Sequence, residues 1–339
     1  MKECSYYLDV VRTLACIMVI MMHSPMPNSN VGEFSITGMI SFLTVPCIGL
    51  FFMVSGALLL PIKDTPKDFL TRRLNKIILP TLFWLLFYIT TNLLSGKMGG
   101  IYVLKSLLSL PFTAQGHGVL WFMYTLVGVY LFAPILSAWL EKVNKSMVVL
   151  YLALWAVTLC YPFVRLVLDI PVREENILFY FSGYAGYFVL GYYLNNNAKN
   201  IICSKKISFC MGVGLGIVFL PPVLCKVNHW NIDFYSLFWY LSIGVVVMCA
   251  GWFLLLYSIP LFQKKNRVTD VFSEISRISF GIYLIHIFIM RNILWNWEVL
   301  QSLSYNIQIF VCALLTFALS YLVAKVISKL PFSKYIIGC

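Results

Sequence analysis

The chain has 339 residues, 60% of them hydrophobic and 11% charged, with a net charge of +12 and a mean hydropathy of +0.85. Soluble domains carry far more charge, and repeated apolar runs of about 20 residues mark a polytopic helical membrane protein. Nucleic acid is excluded as the reason for the positive charge, because Lys and Arg fall between the apolar runs in alternate connecting segments, which is a topology signal.

The first apolar run, Tyr6 to Met26, reads YYLDVVRTLACIMVIMMHSPM and holds Asp9, Arg12 and His23. On a helix that turns ~100° per residue, Asp9, Arg12, Cys16, Val19 and His23 share one face, with Arg12 and His23 ~16 Å apart along the axis. Charged groups at membrane depth are costly and by default mark a function. The bland alternative, an ion pair plus an interfacial His, does not explain why three polar groups share a face. Asp9, one turn before Arg12, is expected to pair with it and fix its fork. No small-residue cleavage site follows, so the segment reads as a retained anchor rather than a removed signal.

The apolar runs 8–26, 39–60, 77–95, 119–139, 147–168, 177–195, 207–224, 234–257, 278–295 and 305–327 give about ten candidate spans. With the N-terminus inside, the cytoplasmic segments take Lys63, Lys67, Arg72, Arg73, Lys76, Lys142, Lys145, Lys205, Lys206, Lys264, Lys265 and Arg267, among others. The opposite side keeps Lys97, Lys105, Arg165, Arg173, Lys226 and Arg291. The fold class expected is all-α integral membrane protein, with about ten transmembrane helices and both termini cytoplasmic. Arg12 then lies near the cytoplasmic face and His23 near the outer one.

The basic loop 61–76, PIKDTPKDFLTRRLNK, is either a topology determinant or an anion site. Adjacent arginines face different ways, but Arg72 or Arg73 can share a face with Lys76, and such a cluster can hold phosphates. Segment 96–118 is too short and polar for a span and reads as an interfacial or re-entrant piece. Asp169, Glu174 and Glu175 read as a solvated loop. In the ninth run His286 stands ~14 Å beyond Arg277, and Gly281 suits close helix packing. His229 is given no role. The ten cysteines are scattered without a C-x-x-C pair, so no zinc site, disulfide framework or haem motif is expected, and no metal.

Several pieces together resemble one family. LDVVRTLACIMVIMMH is similar to the opening helix of the membrane-bound acyltransferase-3 family, Leu-Asp-x-x-Arg with a His eleven residues on, here Leu8, Asp9, Arg12 and His23. FFMVSGALLL, with Ser55-Gly56, resembles its second helix, and FLTRRLNKIILP its basic third-helix entry. Leu120-Trp121-Phe122 and the late run Ser279, Gly281, Ile282, Tyr283, Leu284, His286 follow in the family's order. The family often has Arg-x-Arg in the basic segment. Here Thr71-Arg72-Arg73 is followed by Lys76, which leaves open which of them touches the donor.

The resemblance implies a single transmembrane acyltransferase domain over 1–339, in the cell membrane and multi-pass. It would move an acyl group, most often acetyl, from cytoplasmic acetyl-CoA or another short acyl-CoA to a hydroxyl of an envelope glycan or lipid-linked saccharide. Arg12, Arg72, Arg73 and Lys76 would hold the phosphates of the donor. His23 would be the general base, supported by Asp9 and Arg12, or the carrier of a covalent acyl group. His117 and Trp121 would face the acceptor at the outer mouth. Tyr283 and His286 are candidates on the same substrate path, more simply read as polar contacts inside the bundle. The competing class is a transporter or flippase of a glycan precursor, supported by intramembrane charge and Gly-rich runs such as GVGLGIVF but not by any inverted repeat.

Overall fold

The computed structural model describes residues 5–26, 36–96, 99–113, 118–170, 173–201, 205–209, 211–212 and 239–339. It is all-helical, 79% helix, with no strand among the described residues. Among the described residues seven helices are long and apolar enough to cross a membrane: Tyr6–His23, Ile40–Leu59, Pro66–Leu94, Trp121–Lys142, Lys145–Leu168, Arg267–Asn296 and Tyr305–Ile327. Leu314 and Leu322 on the last of these, like Phe83 and Leu86 on the third, are exposed, as lipid-facing side chains must be.

The elements that place the site are α1 (Tyr6–His23), α2 (Ile36–Thr44), α3 (Cys47–Leu59), α4 (Pro66–Leu94), α5 (Gly100–Ser109), α6 (Trp121–Lys142), α7 (Lys145–Thr158), α8 (Tyr161–Leu168), α9 (Ala185–Asn197), α10 (Lys205–Phe209), α11 (Ile243–Tyr257), α12 (Arg267–Phe288), α13 (Tyr305–Ile327) and α14 (Ser333–Ile336). Helix α1 packs against α3, α11, α12 and α13 and is the hub of the bundle.

Several boundaries differ from the apolar runs, for local reasons. The basic loop 61–76 is helical from Pro66. Thr65 caps that start by accepting from the Asp68 N–H at 3.2 Å, with Pro at N1 and an acid in the first turn, all favourable there. Helix α4 therefore runs for 29 residues, and its first turns carry Arg72, Arg73 and Lys76. Helix α12 also begins well before its apolar part: Asn266 accepts from the Val268 and Thr269 N–H groups while Thr269 accepts from the Asn266 N–H, a capping box. The run 177–195 is helical only from Ala185, after a 3₁₀ turn at Phe179–Phe181 and Gly183 at φ 99°. The run 234–257 is helical over Ile243–Tyr257, and most of 207–224 lies outside the described residues. Segment 96–118 contains α5, largely exposed with only Ser106 buried. Asp169, Glu174 and Glu175 are exposed, and Arg173 pairs with Glu175 at 3.8 Å.

Helices α3 and α9 approach backbone to backbone. A Cβ on Gly56 would lie 1.8 Å from the Phe188 carbonyl oxygen, and one on Gly191 would lie 1.9 Å from that of Met53. Small residues permit this contact in a bundle whose association rests on packing rather than on hydrophobic burial. Since backbone on both sides would have to move, Gly56→Leu is expected to cost about 3 kcal/mol, the upper end for overpacking. A thermal unfolding scan in detergent should show a large drop in melting temperature; an unchanged one would contradict the contact.

Candidate functional site

The polar stripe of α1 meets a second stripe, on α12. Ser273 Oγ donates to Asp9 Oδ2 at 2.6 Å and Ser276 Oγ to Asp9 Oδ1 at 2.7 Å. Arg12 donates to the same Ser276 hydroxyl at 3.4 Å. Next to Arg12, Thr13 Oγ1 donates to the Phe272 carbonyl at 3.1 Å, and one turn on the Cys16 thiol points at the Ser279 carbonyl at 3.9 Å. At the far end the rings of His23 and His286 lie 5.7 Å apart. From Asp9–Ser276 through Cys16–Ser279 to His23–His286 the residue numbers rise together, so the two helices run in the same direction.

The expected Asp9–Arg12 ion pair is not formed among the described residues. Both Asp9 oxygens are taken by serine hydroxyls, and Ser276 stands between the carboxylate and the guanidinium.

Around Arg12 a cavity of about 210 Å³ is lined by Arg12, Arg73, Lys76, Arg277, Ser55, Tyr130, Ser276 and Ser279, and it ends on Phe51, Phe122, Met123 and Tyr283. Four cations face it, and no carboxylate lines it among the described residues. Like charges gathered around one cavity raise its potential and attract an anion. Arg73 and Lys76 share a face of α4 and both line the cavity. Arg72 turns outward instead and pairs with Asp64, both side chains being at least half exposed. Of Arg12, Arg72, Arg73 and Lys76, all but Arg72 line this cavity, and Arg277 lines it with them.

The cavity floor is aromatic. Phe51, Phe122 and Tyr283 touch one another, with ring centres 5.5–6.5 Å apart, and the Tyr283 hydroxyl donates to the Val119 carbonyl. Beyond this collar lies a second cavity, of about 430 Å³, lined by Met22, His23, Ser41, Trp121, Tyr184, Trp239 and Tyr240. Its rings form a continuous surface: Trp121 lies 5.8 Å from Tyr184 and 5.5 Å from Tyr240. Trp121 and His23 thus line the same cavity. Tyr283, expected on the acceptor path, closes the cationic cavity. His286 is fully buried between the two, its ring 5.4 Å from that of Tyr283. His117 and His229 lie outside the described residues. Among the described residues no three His, Cys, Asp or Glu side chains converge as a metal would need.

The arrangement can do two things at once. One end offers four cations to an anion, and the other offers aromatic rings and an imidazole to a flat or ring-shaped molecule. A family model described as an acyltransferase domain matches residues 5–325. The chain belongs to the acyltransferase-3 family. No curated protein and no solved structure matched it. Membership makes the protein a multi-pass membrane acyltransferase, and the transporter reading of its intramembrane charges is not favoured.

In this acyltransferase, Ser273 and Ser276 were not singled out from the sequence, and Ser279 only as the first residue of the late family-like run. Their signal is a serine every third position on the otherwise apolar face of α12. Because Ser276 serves both Asp9 and Arg12, Ser276→Ala is expected to lower stability by about 2 kcal/mol, the scale of a hydrogen bond to a charged group. Arg72→Ala, which removes an exposed pair, should stay within about 1 kcal/mol of wild type. Chemical denaturation of the detergent-solubilised protein distinguishes the two; equal effects would contradict the geometry.

Proposed function

We propose that the protein transfers an acetyl group from acetyl-CoA to a hydroxyl of a cell-envelope saccharide, free or lipid-linked, in the bacterial cytoplasmic membrane. The observation that carries this reading is the pair of cavities on either side of the Phe51–Phe122–Tyr283 collar. The first has four cations and suits the phosphates of coenzyme A. The second is aromatic, with no Asp, Glu, Lys or Arg among its lining residues, and suits a sugar ring. The pantetheine arm would run from the cations toward the collar and bring the thioester to the boundary between them.

In this reading Arg73, Lys76, Arg277 and Arg12 hold the donor, with Arg able to grip a phosphate bidentately and Lys acting as a point charge. His23 takes the proton of the acceptor hydroxyl as the oxygen attacks the thioester carbon. The C–S bond then breaks, the thiolate leaves with the bonding electrons, and the proton on His23 passes to sulfur. Trp121, Tyr184 and Tyr240 present the sugar face, and the collar keeps bulk water from the thioester. The distribution of Lys and Arg supports a cytoplasmic cationic end and an outward-facing aromatic end, so a cytoplasmic donor would serve an external acceptor.

The test is label transfer in inverted membrane vesicles supplied with acetyl-CoA labelled in the acetyl group. Wild type should label a glycan or lipid-linked fraction and release free thiol, and His23→Ala should do neither at equal expression. Near-normal transfer by His23→Ala would remove His23 as base; no label and no thiol release by wild type would remove acetyl-CoA as donor. In the same assay Arg73→Ala should raise the KM for acetyl-CoA by about tenfold or more, the loss of a charged hydrogen bond, with kcat little changed. An unaltered KM would move the donor site elsewhere.

A further inference from the structure

His286 has a geometry that a merely structural histidine does not need. Its Nδ1 lies against the carbonyl oxygen of Tyr283 in its own helix. A carbonyl only accepts, so Nδ1 carries the hydrogen, and a neutral ring then presents its lone pair at Nε2. That Nε2 is buried and has no hydrogen-bond partner. Buried polar atoms are rarely left so, and the usual bland role, a hydrogen bond across the bundle, is not being filled. The ring that Nε2 can reach is His23, 5.7 Å away between centres and tilted by 34°. A nitrogen of one ring can then meet a nitrogen of the other directly or through one water.

The backbone holds His286 in that place. The Tyr88 hydroxyl donates to the Leu284 carbonyl at 2.8 Å, and the rings of Phe87 and Phe288 lie 4.9 Å apart, so α4 clamps α12 on either side of His286. Directly after, the chain passes into a π-helix at Ile289–Ile293, a local widening often found at functional sites.

We propose that His286 is the positioning residue for His23. Its Nε2 accepts the N–H of His23, which fixes the His23 tautomer and turns the other His23 nitrogen, with its lone pair, toward the acceptor hydroxyl. When the hydroxyl proton arrives, His23 carries two N–H groups, and His286 stabilises that imidazolium by keeping its hydrogen bond. His286 neither gains nor loses a proton. The proton leaves His23 for the coenzyme A sulfur as the C–S bond breaks, so the cycle balances without a further reactant. The inference rests on His23 being the base.

The test uses the full-length enzyme in native membranes with the acceptor present there, read as initial thiol release from acetyl-CoA. Binding of coenzyme A is measured separately on purified protein. His286→Asn keeps a donor for the Tyr283 carbonyl but has no acceptor at the position of Nε2; His286→Gln reaches that position with an amide oxygen. His286→Asn should lower kcat about 100-fold, the low end of general-base effects, with coenzyme A affinity and KM within about twofold of wild type. His286→Gln should recover about tenfold of that loss. Combining His286→Asn with His23→Ala should be no slower than His23→Ala alone, as for residues that act as a unit. If His286→Asn is as fast as wild type while His23→Ala is inactive, the inference falls and the base stands. If Asn and Gln variants are equally slow and both lose coenzyme A affinity, His286 is a packing residue and the inference again falls. If His23→Ala itself is normal, the assignment of the base has failed first.

Discussion

The fold depends on two polar stripes facing each other at matched depth. An Asp, an Arg and a His on one membrane helix are each expensive in hydrocarbon, and each must be satisfied within the bundle. Helix α12 supplies Ser273 and Ser276 to Asp9, Ser276 to Arg12 and His286 beside His23. This pairing has α1 and α12 run in the same direction in one register, which puts Ser273 and Ser276 on Asp9 at one end and His286 beside His23 at the other. The remaining helices pack around it: α3 and α9 through Gly56 and Gly191, and α13 against both α1 and α12.

Helix α1 was legible because polar groups in an apolar run are rare and their spacing fixes a face. Its partner stripe was harder to see, since Ser is small and common in membrane helices and nothing local says which serine meets a carboxylate. The choice between Arg72 and Arg73 was likewise beyond the spacing rule. What separates them in the structure is Asp64, eight residues before Arg72, which pairs with Arg72 while Arg73 lines the cavity. The long start of α4 was readable in principle, because Thr65, Pro66 and Asp68 form a helix-start signal. It lies a full three turns ahead of the apolar run and was outweighed by the local density of charge.

The length of α4 has a consequence for the cavity. A helix of 29 residues is ~43 Å long, more than the hydrocarbon layer needs, and the surplus lies at the end that carries Arg73 and Lys76. Those side chains are thereby held on a rigid element beside the end of the bundle instead of on a loop, which positions them more sharply. The chain beyond α13 returns to the same place. The Trp84 indole donates to the Ile336 carbonyl at 2.9 Å, and Gly338, at φ 73°, lines the cavity next to the Lys76 carbonyl. A side chain at Gly338 would meet that carbonyl at 2.6 Å, so the tight turn keeps the cavity wall thin there.

The separation of Asp9 from Arg12 explains how α1 carries an acid without neutralising the cationic cavity. A direct ion pair would be the simplest way to bury both groups, and it would also cancel one of the cavity's four positive charges. With Ser276 between them, the acid is satisfied by hydroxyl hydrogens while the guanidinium keeps its remaining donors free to face the cavity. The serine costs little volume, so α1 and α12 stay close enough for the histidines to meet at the other end. The same close contact that hides the acid therefore keeps the cavity cationic and brings His286 against His23.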